Sequence, residues 1–425
     1  MNRQYDVRIV DSILDELFPY MGALALEGAK GVGKTSTAME RAGEVVQLTH
    51  PEVKARVEAS LPEVLRVGEP LLIDEWQLYP PIWDAVRHEV DEDSCGGRFL
   101  LTSSAGPTRD VRIHSCAGRI VRVKMRPLAF VERGLAAPTV SLAALAEGRQ
   151  GRVMGKTGCG LAEYVQEIVG SGFPGMRHLP SRARKAALNS YIDRIVHHDV
   201  DEAGYEVRRT GALYRWLSAY AAASSTTASY SKILDAATPG ESDKPAKTTV
   251  LEYWETLERI FILEPVPGWV SALTPLSRLV QAPKHQLVDP ALAARLVGVD
   301  ENSLLTYSGG RFVPKDGSLL GMLFESLVTL SVRVMTQAID GRVYHLRTKG
   351  GRQEIGLIVE LDNRKVLPIE VKLKEVVDDH DVRHLHWLED RIGDRVVDKV
   401  VVTTGKHAYR RQDGVAVVPL ALLGP

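Results

Sequence analysis

The sequence predicts a multidomain α/β protein: a parallel-sheet domain first, a helical middle, and a second α/β unit towards the C-terminus. Three observations predict it. Gly28-Ala29-Lys30-Gly31-Val32-Gly33-Lys34-Thr35 fits GxxxxGKT at every fixed position, between an apolar run (23–26) that reads as a buried strand and a stretch (36–46) that reads as a helix. A second apolar strand, Pro70-Leu71-Leu72-Ile73, ends in the carboxylates Asp74 and Glu75. Nearer the C-terminus three strand-like runs (343–346, 353–361 and 366–373) follow a helix, and the last holds Glu370-Val371-Lys372, alternating as a half-buried strand does.

The first of these patterns carries chemistry. Glycines let successive backbone N–H groups turn inward around polyphosphate oxygens, so Gly28 through Ser36, including Ala29, Lys30 and Val32, are expected to line the phosphates of ATP. Lys34 would reach the β- and γ-phosphates, and the Thr35 hydroxyl would join the shell of Mg2+. Asp74 suits the role of holding that magnesium across from Thr35, and Glu75 that of orienting and polarising the attacking water. A Gly-rich turn or a helix-capping acidic pair would explain either motif alone, but a cap needs only one carboxylate.

At 425 residues the length suggests two to four domains. Basic and acidic residues nearly cancel, 53 against 54, so any nucleic-acid surface must be a local patch. Cys95, Cys116 and Cys159 show neither paired nor metal-ligand spacing, which fits a reducing cytosol. No long apolar region is read near the start or elsewhere against the roughly 20 residues a span requires, so a cytoplasmic protein with no membrane segment is expected.

In chain order, apolar residues at 9, 10, 13, 14 and 17 suggest a helix ahead of the first strand. After 45–48, a second strand, and helical segments, the Asp74 strand is followed by a helix (82–90) and a further strand (98–102) ending in Ser103-Ser104. Ser104 is the candidate sensor of the γ-phosphate, or simply a turn serine. Basic residues recur at Arg109, Arg112, Arg119, Arg122, Lys124, Arg126 and Arg133; Arg119, just ahead of a strand at 121–123, is the candidate arginine finger. Gly155-Lys156-Thr157 lacks the upstream glycine and is read as a decoy. Helices fill 163–220, with a basic cluster around His197-His198-Asp199; adjacent histidines on a helix diverge, which argues against a shared metal.

Residues of about 225–270 read as a winged helix-turn-helix, with Lys244 and Lys247 the obvious cations near its second helix. In the last segment a helix carrying Glu325 precedes Glu370-x-Lys372, the skeleton of a restriction-endonuclease-like metal site in which carboxylates hold magnesium and the lysine helps position water. His380 and His384, four apart, are a second metal-ligand pattern or a solvated helix face.

With these residues in place the chain resembles the bacterial and archaeal AAA-type P-loop ATPases that carry a C-terminal DUF4143 domain. The resemblance rests on Gly28–Thr35, on Ile73-Asp74-Glu75-Trp76-Gln77, on His114-Ser115-Cys116-Ala117-Gly118-Arg119, on Arg126-Pro127-Leu128, on 191–195 with Asp199, and on Ile369-Glu370-Val371-Lys372. It implies an AAA-type domain over about 1–138, a helical and winged-helix region over 160–300, and a restriction-endonuclease-like domain over 310–425. It also implies that the strand before Glu-x-Lys supplies an Asp; here Glu354-Ile355 is followed by Gly356, which leaves Glu325, Glu354, Glu370 and Lys372 as a degenerate metal site and argues against nuclease activity. The function read from all this is ATP binding and hydrolysis coupled to action on DNA or a protein partner, oligomers being compatible with it. The alternative is a nucleotide-gated regulatory module with little hydrolysis.

Overall fold

The computed structural model describes residues 5–106, 118–238, 245–270, 282–308 and 311–425. Arg109, Arg112, Lys244 and the His114–Ala117 part of the family motif lie outside the described residues. The chain groups into two compact units. One comprises Met1–Pro127, Arg194–Arg208 and Thr248–Ile262; the other comprises Leu128–Asp193, Arg209–Lys247 and Leu263–Pro425.

The first unit is built on β1 (Ala23–Glu27), β2 (Glu44–Gln47), β3 (Leu71–Asp74), β4 (Phe99–Ser103) and β5 (Ile120–Lys124). They form one parallel sheet in the order β2-β3-β4-β1-β5. β1, β3 and β4 are continuous apolar runs because helices cover both faces of such a sheet. The helix Pro81–Glu92 supplies one cover, burying Ile82, Trp83, Val86 and Val90 among Leu71, Ile73, Phe99 and Leu101. The strand order matters for the site. Because β4 lies between β1 and β3, its C-terminal end, Thr102 to Ser104, sits between the loop after β1 and the carboxylates that end β3.

The helix after the loop runs only over Lys34–Met39, not to residue 46, because the amides of Gly43 and Glu44 donate instead to the Pro70 carbonyl and start β2 beside β3.

The second unit contains β6 (Val140–Ser141), β7 (Gly155–Lys156), the hairpin β8 (Leu305–Ser308) and β9 (Arg311–Pro314), then β10 (Arg342–Arg347), β11 (Glu354–Glu360), β12 (Val366–Lys372), β13 (Val400–Thr403), β14 (His407–Arg410), β15 (Ala416–Pro419) and β16 (Leu423–Gly424). Seven of these make a mixed sheet, β10-β11-β12-β13-β15-β14-β7. The decoy Gly155-Lys156 is thus an edge strand paired with β14. Helices Gly317–Gln337 and Asp379–Ile392 pack on β11 and β12. The former has 21 residues and is apolar enough to match a membrane span by length and composition, against the expectation that no such run exists. Its composition has a nearer cause: Leu320, Leu323, Phe324, Leu327, Val328 and Val332 are buried inside this unit, as in a core helix.

The expected helical middle is present, broken by a π-helical turn at Ile195–Asp199. The helices Tyr230–Ala236 and Lys247–Arg259 both form in the segment read as a winged helix, but the first belongs to the second unit and nearly all of the other to the first.

Candidate functional site

The loop between β1 and the helix Lys34–Met39 owes its shape to glycine. A Cβ at Gly28 would lie 2.1 Å from the Met125 carbonyl oxygen, and Gly33 sits at φ 105°, a left-handed backbone. Arg8 braces the loop from outside: its guanidinium donates to the carbonyls of Val32 (3.1 Å) and Arg126 (2.9 Å). The Lys34 ammonium folds over the loop, donating to the carbonyls of Gly28 (2.8 Å) and Ala29 (3.0 Å). Burial pulls its pKa down to about 8, against the opposing pull of the Glu75 and Asp74 carboxylates.

The second half of the site meets the first through hydroxyls. Thr35 Oγ1 donates to Asp74 Oδ1 at 2.7 Å, and Thr102 Oγ1 donates to the same oxygen at 2.6 Å. Thr102 Oγ1 in turn accepts from the Glu75 amide at 3.1 Å, so β4 fixes the side chain of Asp74 and the backbone of Glu75. Glu75 itself adopts φ 58°, a left-handed conformation that turns its side chain off the strand direction. Its Oε2 accepts from Ser104 Oγ at 2.6 Å, from the Ser104 amide at 3.3 Å and from Gln77 Nε2. Ser104 therefore contacts Glu75 directly.

A third layer attaches to Lys30, at an interior position of the loop. Its ammonium donates to Asp199 Oδ1 (2.7 Å) and Glu202 Oε2 (2.8 Å), and Arg194 Nε reaches the same Asp199 oxygen at 3.0 Å. Burial disfavours the Lys30 charge, yet the two carboxylates more than compensate and raise its pKa. The π-helical turn thereby aims Asp199 at the loop, while His197 and His198 stay exposed.

Arg119 lies elsewhere. It precedes β5, whose first residue pairs with Ala23 at the start of β1, whereas the loop follows the other end of β1. Its Nε pairs with Asp91 at 2.8 Å, half-exposed.

The second unit gathers the other predicted residues, with one addition. Glu325 from the helix Gly317–Gln337, Glu354 from β11 and Glu370 from β12 face Lys284, which is 2% exposed, and Lys372 from β12 pairs with Glu370. Lys284 Nζ is 2.7 Å from Glu325 Oε1 and 3.5 Å from Glu354 Oε1; Lys372 Nζ is 3.3 Å from Glu370 Oε2. Burial opposes the Lys284 charge, but Glu325, Glu354 and Glu370 hold its pKa above the ordinary lysine value. Burial also pushes Glu370 up to about 7, against the pull of Lys372. β11 and β12 are antiparallel with Leu357 opposite Ile369, so the register continued by one residue sets Gly356 opposite Glu370. His384 turns to the backbone of Glu354, its Nδ1 2.7 Å from the carbonyl oxygen, and does not share a site with the exposed His380.

Arg8 and Lys284 carry no local sequence pattern, and Gln77 enters the sequence reading only as part of the family motif, with no site role. For Thr102 the signal was present, a hydroxyl one residue before Ser103-Ser104 at the end of a strand placed beside β3.

The sheet order, the glycine loop and the acidic strand end together define a nucleotide-binding α/β domain, and comparison with known families agrees. Residues 21–133 match the family model described as an AAA domain, residues 161–303 a domain of unknown function (DUF8612), and residues 320–423 a domain of unknown function (DUF4143). Residues 21–133 thus match an AAA domain and residues 320–423 a C-terminal DUF4143 domain, as the motifs suggested. It is 22% identical over 409 residues to two mycobacterial relatives, uncharacterized protein Mb2031c of Mycobacterium bovis and uncharacterized protein Rv2008c of Mycobacterium tuberculosis. Those alignments span 93% of this chain and 79% of each relative.

Proposed function

We propose that this protein binds ATP with Mg2+ at the Gly28–Ser36 loop, hydrolyses it, and couples turnover to action on DNA or a protein partner. The observation that carries the reading is the continuous set of contacts from loop to strand end: Lys34 over the loop, Thr35 bonded to Asp74, and Thr102 holding both Asp74 and the Glu75 backbone. A hydroxyl and a carboxylate side by side are the hard oxygen donors magnesium prefers, so Thr35 and Asp74 would hold it. The ion would supply charge neutralisation to the phosphates. Lys34 would exchange its two carbonyl partners for phosphate oxygens. Glu75 would accept hydrogen bonds from, and so orient, the attacking water.

Glu75 is tied to Ser104 and Gln77, and this favours a gate. All three donors bond Oε2, so they set which way the carboxylate faces, and a partner that shifts Ser104 or Gln77 would re-aim Oε1 towards the attacking water. The same observation supports the second reading, a nucleotide-gated module whose Glu75 stays tied and whose turnover is slow. Lys30, paired with Asp199 and Glu202, supports a route by which loop occupancy is felt at 195–202.

The helices Tyr230–Ala236 and Lys247–Arg259 lie within the 225–270 range read as a winged helix, and the bridges Leu263–Leu287 and Val266–Lys284 continue the chain beyond it. Glu325, Glu370 and Lys372 support a nuclease-like centre over 310–425 that has lost activity. Arg119, half-exposed and remote from its own loop, is retained as a finger acting on a neighbouring copy. Phosphate release measured with and without DNA tests the main reading: stimulation supports coupling, and slow release unchanged by DNA supports the gated module.

A further inference from the structure

We propose that the Lys284 ammonium stands where a divalent ion would sit among Glu325, Glu354 and Glu370, so that this centre is neutralised from within, and that removing the ammonium opens a divalent-cation site. The inference rests on the nuclease-like reading of these residues and is independent of the nucleotide site.

Two placements carry it. First, Lys284 bridges carboxylates from two separate elements, the helix Gly317–Gln337 and β11, at 2.7 and 3.5 Å, with its side chain 2% exposed. Its backbone is fixed there by a reciprocal pair of amide–carbonyl bonds with Val266, each 2.8 Å. Second, Gly356 provides no side chain at the position opposite Glu370. A Cβ built there would meet Glu325 Oε1 at 3.6 Å, in ordinary contact and pointed into the cluster.

The charges agree with the placement. Glu325, Glu354 and Glu370 face Lys284, Lys372 and Arg347, whose Nε is 3.6 Å from Glu354 Oε2. Even with Glu370 ionised, three carboxylates against three cations leave nothing for a divalent ion to offset, and its approach to a buried ammonium would be repulsive. Metal binding needs carboxylate oxygens to converge at about 2.0–2.6 Å, whereas a Glu325 oxygen already accepts from Lys284. Where a site loses one carboxylate, at 356, a single-charged ammonium balances what remains better than a double-charged ion. The residues present therefore do not fit a metal, and Lys284 is the reason.

The test uses the full chain without nucleotide, titrated with Mn2+ and followed by loss of the free-ion electron paramagnetic resonance signal. Wild type and Lys284→Arg are expected to bind no Mn2+ that depends on Glu370. Lys284→Met is expected to gain one Mn2+ per chain over wild type, at least about tenfold tighter than any wild-type binding, and Lys284→Met/Glu370→Gln to lose it. If Lys284→Met does not fold, Mn2+ must restore its cooperative melting, and must fail to do so for the double variant. Binding by wild type that disappears in Glu370→Gln would overturn the inference, as would absence of a gained ion, or of rescue, in Lys284→Met. Metal-dependent DNA cleavage by wild type would break the nuclease-like reading as well; failure of the gain without such cleavage breaks only the inference.

Discussion

Removing the Lys34 ammonium and neutralising Glu75 should damage different steps. Lys34 is 4% exposed, and its Nζ makes two hydrogen bonds to loop carbonyls that phosphate oxygens would replace. Charge-assisted hydrogen bonds contribute about 1.5–3 kcal/mol each, so losing two costs about 3–6 kcal/mol, or roughly 10²–10⁴-fold in ATP affinity. Glu75 makes no hydrogen bond with the loop; its carboxylate partners are Ser104 and Gln77. Glu75→Gln keeps an oxygen to accept from Ser104, so affinity should stay within about tenfold, while loss of a water-activating carboxylate lowers turnover by about 10²–10⁴-fold. Equilibrium titration with a fluorescent ATP analogue reads the first effect on Lys34→Ala, and phosphate release reads the second. Equal loss of affinity in both variants would refute the division of roles.

The remaining predictions concern assembly, pH and the second centre. If Arg119 acts on a neighbouring copy, turnover per chain rises with protein concentration, and mixing Arg119→Ala with Lys34→Ala chains rescues activity; concentration-independent turnover with Arg119→Ala unimpaired would remove it from the site. Bound phosphate favours charged Lys34, whose pKa in the free protein is depressed to about 8. Its contribution to ATP affinity is therefore full below pH 8 and falls as pH rises above it, with proton uptake on binding at pH 8–9 that calorimetry in two buffers detects; Lys34→Arg should show no such uptake. With Mg2+ or Mn2+, cleavage of plasmid, single-stranded or branched DNA should not exceed that of Lys372→Ala, and cleavage lost in that variant would point to Glu354 or Glu325 as working ligands.

What the sequence made legible is what is local. The loop, its flanking strand and the acidic strand end lie in short contiguous stretches, and burial on both faces of a parallel sheet writes β1, β3 and β4 as apolar runs. The residues that hold the sites together are distant in sequence: Arg8 reaches Val32 over 24 positions, Thr102 reaches Asp74 over 28, and Lys284 reaches Glu325 over 41. A lone arginine or lysine carries no spacing pattern, so only the folded chain reveals its partner. Helix length was misread for a related reason. The residues after Met39 allow a helix, but the Pro70 carbonyl, 27 residues beyond Gly43, takes its amide. The buried helix Gly317–Gln337 shows the converse, since its apolar composition matches both a core and a bilayer and only its neighbours decide.

The central claim, that the Gly28–Ser36 loop with Asp74 and Glu75 hydrolyses ATP, is tested most directly by phosphate release from one purified sample, before and after magnesium is chelated. Thr35 and Asp74 meet at 2.7 Å as a ready pair of oxygen donors, so the account predicts slow but measurable release with Mg2+, none with chelator, and full recovery when Mg2+ is restored. Release that continues unchanged in chelator, or that persists in Lys34→Ala, would contradict it.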